Sequence, residues 1–290
     1  MQYSGLKEFL SSGKAVLAKG PIALVFAEDE VELDTTLRHH QQSGFKAVVA
    51  FMPDSFALPG DLVKTVHRVR YDTQAENAVM EAVTAVNNVA APGQWIYYCY
   101  NAEYLFYPFC ETRLIGEMLA FHTEERRDAM LTYVVDLYAD DLNQNPDAVS
   151  LDRAFMDKSG YYALARPDES KENHPKERQL DFFGGLRWRF EEHVPAPRRK
   201  IDRIALFRAT LGVKLREDHT FSDEEFNTYA CPWHNNLTAA IVSFRTAKAL
   251  KRNPGSTFDI DTFHWHNSVP FEWHSRQLLD LGLMEPGQWF

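Results

Sequence analysis

The sequence predicts an α/β fold: a mostly parallel central sheet in three layers, with helices on both faces. Three observations carry this. Short apolar runs at 22–26, 47–51 and 95–100 lack the polar alternation of a half-exposed strand, so both of their faces must be covered. Segments of helical spacing separate them, the order that builds parallel strand pairs by crossover. The chain has 290 residues, 45% hydrophobic and 25% charged, enough to bury a core without disulfide or metal staples.

In chain order, residues 1–20 read as a short amphipathic helix and a turn. Pro21 opens the strand 22–26. Val31, Leu33 and Leu37 give 31–42 helical spacing, and Gly44 supplies the stop. The second strand, 47–51, runs into Met52-Pro53-Asp54-Ser55. Residues 63–71 alternate well enough for a third strand, and 75–89 form a helix before the Pro92-Gly93 break. The strand 95–100 follows; its unbroken apolar and aromatic character places it near the middle of the sheet. A helix at 111–127 and a strand at 130–138 come next. The polar stretch 139–180 reads as a solvated loop or insertion. A late strand spans 202–207. Residues 237–250 read as a strand leading into a helix or as one helix, since periodicity does not separate the two. The tail, 271–290, holds a helix ending near Gly282. No internal repeat stands out, so 1–290 reads as a single domain.

A net charge of −10 argues against nucleic-acid binding as the main task. Cys99, Cys110 and Cys231 have no metal-like spacing and cannot all pair, which suits a reducing compartment. The first ten residues include Lys7 and Glu8 and no signal-peptide core, and no stretch reaches the length of a membrane span. The expectation is a cytoplasmic protein, with peripheral contact with a membrane-bound acceptor left open.

Candidate chemistry sits at strand ends, where open α/β sheets gather their ligands. Asn101 and Glu103 follow the strand 95–100 and, on an extended segment, point to one side. Glu28, Asp29 and Glu30 follow the first strand; acids there also favour the positive end of a helix. Asp54 follows the second strand. Asp136 lies inside an apolar run, so it must be paired or functional and is a candidate base. Arg113, Arg126, Arg127, Arg187 and Arg189 offer cationic partners for a diphosphate, and Trp188, between the last two, could border a sugar. The late histidines are His219, His234, His264, His266 and His274. His264 and His266 alternate, so a strand would face them the same way. Cys231-Pro-Trp233-His234 is a weak Cys–His candidate.

Several of these segments form an ordered set. The first strand runs into Ala27-Glu28-Asp29-Glu30. Leu37-Arg-His-His40 is followed by Ser43-Gly-Phe45. Val48-Val-Ala-Phe-Met-Pro-Asp54-Ser55 is a strand ending in a turn closed by Ser. Gln94-Trp95 leads to Asn101-Ala-Glu103-Tyr-Leu-Phe. Across about residues 20–140 the set resembles the family 2-like glycosyltransferases with a GT-A fold, in particular a bacterial subgroup similar to family 92. The last segment resembles the one that holds that family's metal-binding carboxylates. More loosely, Arg203-Ile-Ala-Leu-Phe207 followed by Glu217-Asp218-His219 resembles its later strand and C-terminal metal-ligand His.

The resemblance implies a nucleotide-binding part at about 20–140 and an acceptor-side part at about 141–290. It implies that Glu28, Asp29, Glu30, Asp54, Ser55 and Asn101 contact the donor, a UDP-sugar. Glu103 and His219 would hold a divalent cation, manganese or magnesium. Glu217-Asp218 resembles the pair near the catalytic base of processive relatives, with Asp136 as the alternative base. The acceptor would be an unknown glycan, lipid or protein. Two departures stand out. Asn101 replaces the first carboxylate, and its neutral carbonyl is a weaker ligand for a hard cation. The family's usual His-Tyr is replaced by Ser243-Phe244. The expected function is sugar transfer from a nucleotide-sugar. The alternative is a catalytically silent relative that binds a nucleotide or glycan. A metal-dependent hydrolase built on the late histidines is weakened by the lack of a compact His signature.

Overall fold

A computed structural model describes residues 1–228 and 236–289. Its elements are β1 (Gln2–Tyr3), α1 (Leu6–Ser12), α2 (Lys14–Leu17), β2 (Ile22–Phe26), α3 (Leu33–Gln42), β3 (Ala47–Met52), β4 (His67–Arg70) and α4 (Ala78–Val89). Then come β5 (Trp95–Tyr100), β6 (Glu103–Phe106), α5 (Ile115–Glu124), β7 (Ala129–Ala139), β8 (Ala154–Asp157), β9 (Tyr162–Asp168), β10 (His174–Phe183) and α6 (Gly185–Arg189). The chain closes with β11 (Asp202–Arg208), β12 (Ala239–Ser243), α7 (Arg245–Arg252), β13 (Ser268–Pro270) and α8 (Ser275–Asp280). The fold is α/β, with a large, mostly parallel mixed sheet flanked by helices. Among the described residues no helix is long and apolar enough to cross a membrane.

The chain forms two compact units. The first comprises Met1–Leu105, Thr112–Leu131 and Ile204–Asn227. Its strands run in the order β1-β4-β3-β2-β5-β11, all parallel except β11, which is antiparallel to β5. Every residue of β2 is fully buried, as an apolar run without alternation requires. Side chains alternate across the sheet, so each strand serves two helical layers. On one side Phe26 stacks on Phe51 at 4.7 Å, and Phe9 of α1 packs edge-on against Phe51 at 6.1 Å. On the other, His40 of α3 stacks on Tyr97 at 5.1 Å, and Trp95 Nε1 donates to Thr123 Oγ1 of α5 at 2.9 Å. Strand β5 is paired on both edges, to β2 and to β11.

The second unit comprises Phe106–Glu111, Thr132–Arg203 and Thr228–Phe290. In it β7 and β12 pair in parallel from Thr132↔Ala239 to Asp136↔Ser243, β8 runs antiparallel to β7, and β13 antiparallel to β8. Tyr138, Leu186, Ala247, Leu250, Ile260 and Phe263 form one buried apolar cluster.

Several expectations need correction. Residues 139–180 are not a loop: they hold β8, β9 and most of β10, and β9–β10 form a long antiparallel hairpin. The hairpin is solvated on much of both faces, so its residues are polar and no apolar alternation marks it. The third strand is only His67–Arg70, because residues 62–64 take a single 3₁₀ turn instead. The helix expected at 111–127 starts at Ile115, where the Glu117 side chain accepts the Leu114 N–H at 2.7 Å and closes its first turn. The undecided segment 237–250 is a strand followed by a helix, turning at Phe244.

Candidate functional site

From β2 the chain passes through α3 to β3 and then β4, moving steadily to one side. After α4 it crosses back to place β5 on the other side of β2. Strand order therefore reverses between β2 and β5. In open α/β sheets the ligand lies outside the carboxyl ends of the strands at such a reversal. Phe26 and Tyr100 are paired, so the residues just after them sit side by side at that edge.

Those residues are fastened together. Asn101 is fully buried. Its Oδ1 accepts the Glu28 N–H at 2.9 Å, and its Nδ2 donates to Asp29 Oδ1 at 2.6 Å and to Val31 O at 2.8 Å. The same Asp29 oxygen accepts the Val31 N–H at 2.9 Å. From the other side, Thr73 Oγ1 donates to Ala27 O at 2.6 Å and Gln74 Nε2 to Glu28 O at 3.1 Å. Glu30 Oε1 accepts the Ala57 N–H at 3.2 Å. The loop after β2 is thus held by the loops after β3, β4 and β5. Thr73 and Gln74 carry no sequence signal beyond their place after β4.

Asn101 and Glu103 do not face the same way. Ala102 between them has φ of +59°, so the segment is a turn and the extended-strand argument does not apply. Ala102 is pinned there by its N–H, which donates to Thr36 Oγ1 at 2.8 Å. Glu103 is fully buried, and its Oε2 accepts the Tyr100 N–H at 2.9 Å, closing the turn from beneath. Both side chains hold backbone; they do not form an open pair of ligands. The nearby imidazole of His40 is also structural. Its Nδ1 bonds Thr36 O at 2.7 Å, and burial pushes its pKa down to about 3.

The remaining residues of the first unit lie as follows. Asp54 follows β3 with its side chain 60% exposed, and its carboxylate lies 3.0 Å from Arg70 Nε and 3.8 Å from Arg68 Nη2. Ser55 beside it is exposed. His219 has φ of +62°, and its ring stacks on Tyr98 with Nδ1 3.1 Å from the hydroxyl. It therefore packs against the face of β5, short of its end. Asp218 Oδ1 accepts the Thr220 N–H and hydroxyl at 3.1 and 2.6 Å, so it forms a turn, and Glu217 is exposed beside it. The loops after β2, β3 and β4 carry Glu28, Asp29, Glu30, Glu32, Asp54, Asp61, Asp72 and Glu76 against one lysine, Lys64. The edge is strongly acidic.

Asp136 belongs to the second unit. It is buried at the end of the β7–β12 pair, 3.6 Å from Arg187 Nε, and its Oδ1 makes no hydrogen bond. Burial raises its pKa, and Arg187 opposes that shift. A polar network that sequence reading missed lies in the same unit. Asp157 Oδ1 accepts from Tyr138 Oη at 2.6 Å, Trp265 Nε1 at 2.7 Å and Arg189 Nη1 at 3.0 Å. The Arg189 guanidinium lies 4.5 Å from the Trp265 ring centre. Arg189 is thereby a structural clamp. His264 and His266 lie outside any strand and pack on Phe155 and Trp265 respectively, so their alternation has no consequence. His274 Nδ1 accepts the Arg276 N–H at 3.1 Å and caps α8. Cys231 and His234 lie outside the described residues. Among the described residues no group of three or more His, Cys, Asp or Glu is arranged to hold a metal ion.

No protein-family model matches this chain, and no curated protein matches it.

Proposed function

We propose that this protein binds a nucleoside-diphosphate sugar at the carboxyl edge of β2 and β5 and transfers the sugar to an acceptor, on a GT-A-like fold. The observation that supports this most is the acidic, prefastened loop at the reversal of strand order. A dinucleotide site at this position uses a glycine-rich turn that wraps phosphate with N–H groups. Here the turn is Ala27-Glu28-Asp29-Glu30, which presents acceptors rather than donors. Carboxylates there suit the N–H groups of a base and the hydroxyls of ribose. The same acidity repels a bare diphosphate, so the leaving group needs a divalent cation to offset the charge that develops on it. Glu28 and Asp54 are the half-buried and exposed carboxylates nearest the strand ends, and they are the residues assigned to the donor and its cation. Glu103 has no part in that assignment.

A second reading is a silent binding protein. It is favoured by one observation: Asn101 and Glu103, where the resemblance expects metal ligands, are both committed to backbone hydrogen bonds. Calorimetric titration with UDP, with and without manganese, tests the donor site. Saturable binding that needs manganese and is lost in Glu28→Ala is expected. Absence of binding under both conditions defeats the proposal. Sugar release from a UDP-sugar panel then separates transferase from silent binder.

A further inference from the structure

At the base of the β9–β10 hairpin, in the second unit, large apolar side chains face solvent. Trp188 is 40% exposed, Tyr162 44% and Leu164 56%. They are held in place. The Trp188 ring lies on Gly160, where a Cβ would come within 3.2 Å of the ring; with φ of +95°, that position favours glycine on backbone grounds as well. Tyr162 stacks on Phe183, with centroids 5.2 Å apart and planes at 19°. Tyr162, Leu164 and Arg166 alternate onto one face of β9, and Leu164 is paired with Asp181 across the hairpin. There Asp181 Oδ1 accepts from Arg166 Nε at 2.8 Å and from Lys200 Nζ at 3.4 Å. Gly160, under the tryptophan, and Tyr162 are two residues apart, at most about 7 Å along the chain.

We propose that this face binds a neutral oligosaccharide or polysaccharide chain, seating sugar rings on Trp188 and Tyr162; as an acceptor site it rests on the transferase reading above. A pyranose has a face of polarised C–H groups and a rim of hydroxyls. The C–H face is attracted to the negative face of an aromatic ring. The rim meets the edge of an ordered polar group, Asp181, Arg166 and Lys200, whose side chains stay 17%, 11% and 16% exposed, so little ordering is required on binding. Other occupants fit worse. A second copy adding a strand is opposed by Pro167 in β9, Pro175 in β10 and the register shift between Pro175 and Leu180, which interrupt the ladder. The lysines and arginines of the hairpin are matched by its acids, so no charge excess invites a polyanion or an anionic lipid.

Native affinity electrophoresis of the full chain in gels containing soluble starch, hydroxyethyl cellulose, glycol chitin or dextran tests this. Retardation by at least one polymer is expected, weakened about tenfold by Trp188→Ala or Tyr162→Ala. Phe258→Ala, which removes an exposed ring elsewhere, should leave retardation unchanged. Circular dichroism checks that each variant is folded. No retardation in any gel overturns the proposal, as does retardation indifferent to both aromatic changes. A dimer by light scattering that Trp188→Ala dissociates also overturns it, because the face would then be a contact between copies. UDP titration of the same samples keeps the two readings apart. Polymer binding without UDP binding defeats only the donor site, and UDP binding without polymer binding defeats only this surface.

Discussion

At the scale of single residues, Asn101 is required as an amide. Its Nδ2 donates to a carboxylate and to a carbonyl, which Asp cannot do while ionised. Asn101→Asp removes two hydrogen bonds and sets two carboxylates against each other, so it should cost about 2–4 kcal/mol without metal. Manganese should restore part of that loss by bridging residues 29 and 101. Thermal melts with and without manganese check both halves; an unchanged melting temperature in the metal-free variant contradicts the assignment. His40 makes a pH forecast. Its folded pKa, pushed to about 3 by burial, lies below the unfolded value. As pH falls below about 6.5 the unfolded chain takes up a proton that the folded chain refuses, so this residue costs stability down to its folded pKa. His40→Gln should be less stable than the wild type at neutral pH, through loss of the Tyr97 stack. The gap should narrow on acidification by at most about 1.4 kcal/mol per pH unit. Urea unfolding of both proteins at a series of pH values measures this, and a constant gap rules it out.

At the scale of elements, side-chain amides fasten loops to the sheet and its helices. Asn87, buried on α4, donates to Thr210 O at 2.7 Å and Val213 O at 2.8 Å and accepts the Thr210 N–H at 2.9 Å. These bonds tie the segment after β11 to α4, and that segment carries His219 over Tyr98. Asn87→Ala leaves three backbone groups without this partner and should destabilise by about 2–4 kcal/mol. Urea unfolding decides it: an unchanged midpoint would show that the segment is anchored elsewhere. The β9–β10 hairpin is the opposite case. It is a two-stranded sheet whose outer edges make, among the described residues, no ladder beyond a single bridge from Phe183 to Lys200 at its base, and such a ribbon is marginal in water. Its amides should exchange hydrogen far faster than those of β2 and β5, whose strands are paired on both edges. Mass-resolved exchange checks this, and equal protection would count against it.

At the scale of the whole molecule, charge sets how a ligand approaches. The net charge is −10, and the loops after β2, β3 and β4 add a local excess of acids. A phosphate-bearing ligand without a divalent cation meets repulsion there, and salt screens repulsion. Whatever weak UDP binding persists without divalent ions should therefore strengthen, or hold, as salt rises from about 20 mM to about 300 mM. A basic phosphate site would weaken over the same range. Calorimetry at the two salt levels reads the sign directly, and a marked weakening would place the diphosphate on arginines instead.

The sequence by itself determined the core strands, because apolar character belongs to each residue and must be buried wherever the chain goes. The runs at Ile22–Phe26 and Trp95–Tyr100 end at those residues in the structure, and the acids that follow β2 and β3 lie at the carboxyl edge. Helix ends were less legible, since caps depend on single contacts such as Glu117 with Leu114. The hairpin was not legible at all, because a strand solvated on both faces has no apolar alternation to show. Only the tertiary structure decided where the polar side chains point. One left-handed residue, Ala102, turns Asn101 and Glu103 apart. Asn101 finds its partner Asp29 72 positions away. Burial is a summed property that local sequence records, whereas the direction of a hydrogen bond depends on one dihedral angle and on a partner that only the folded chain brings near.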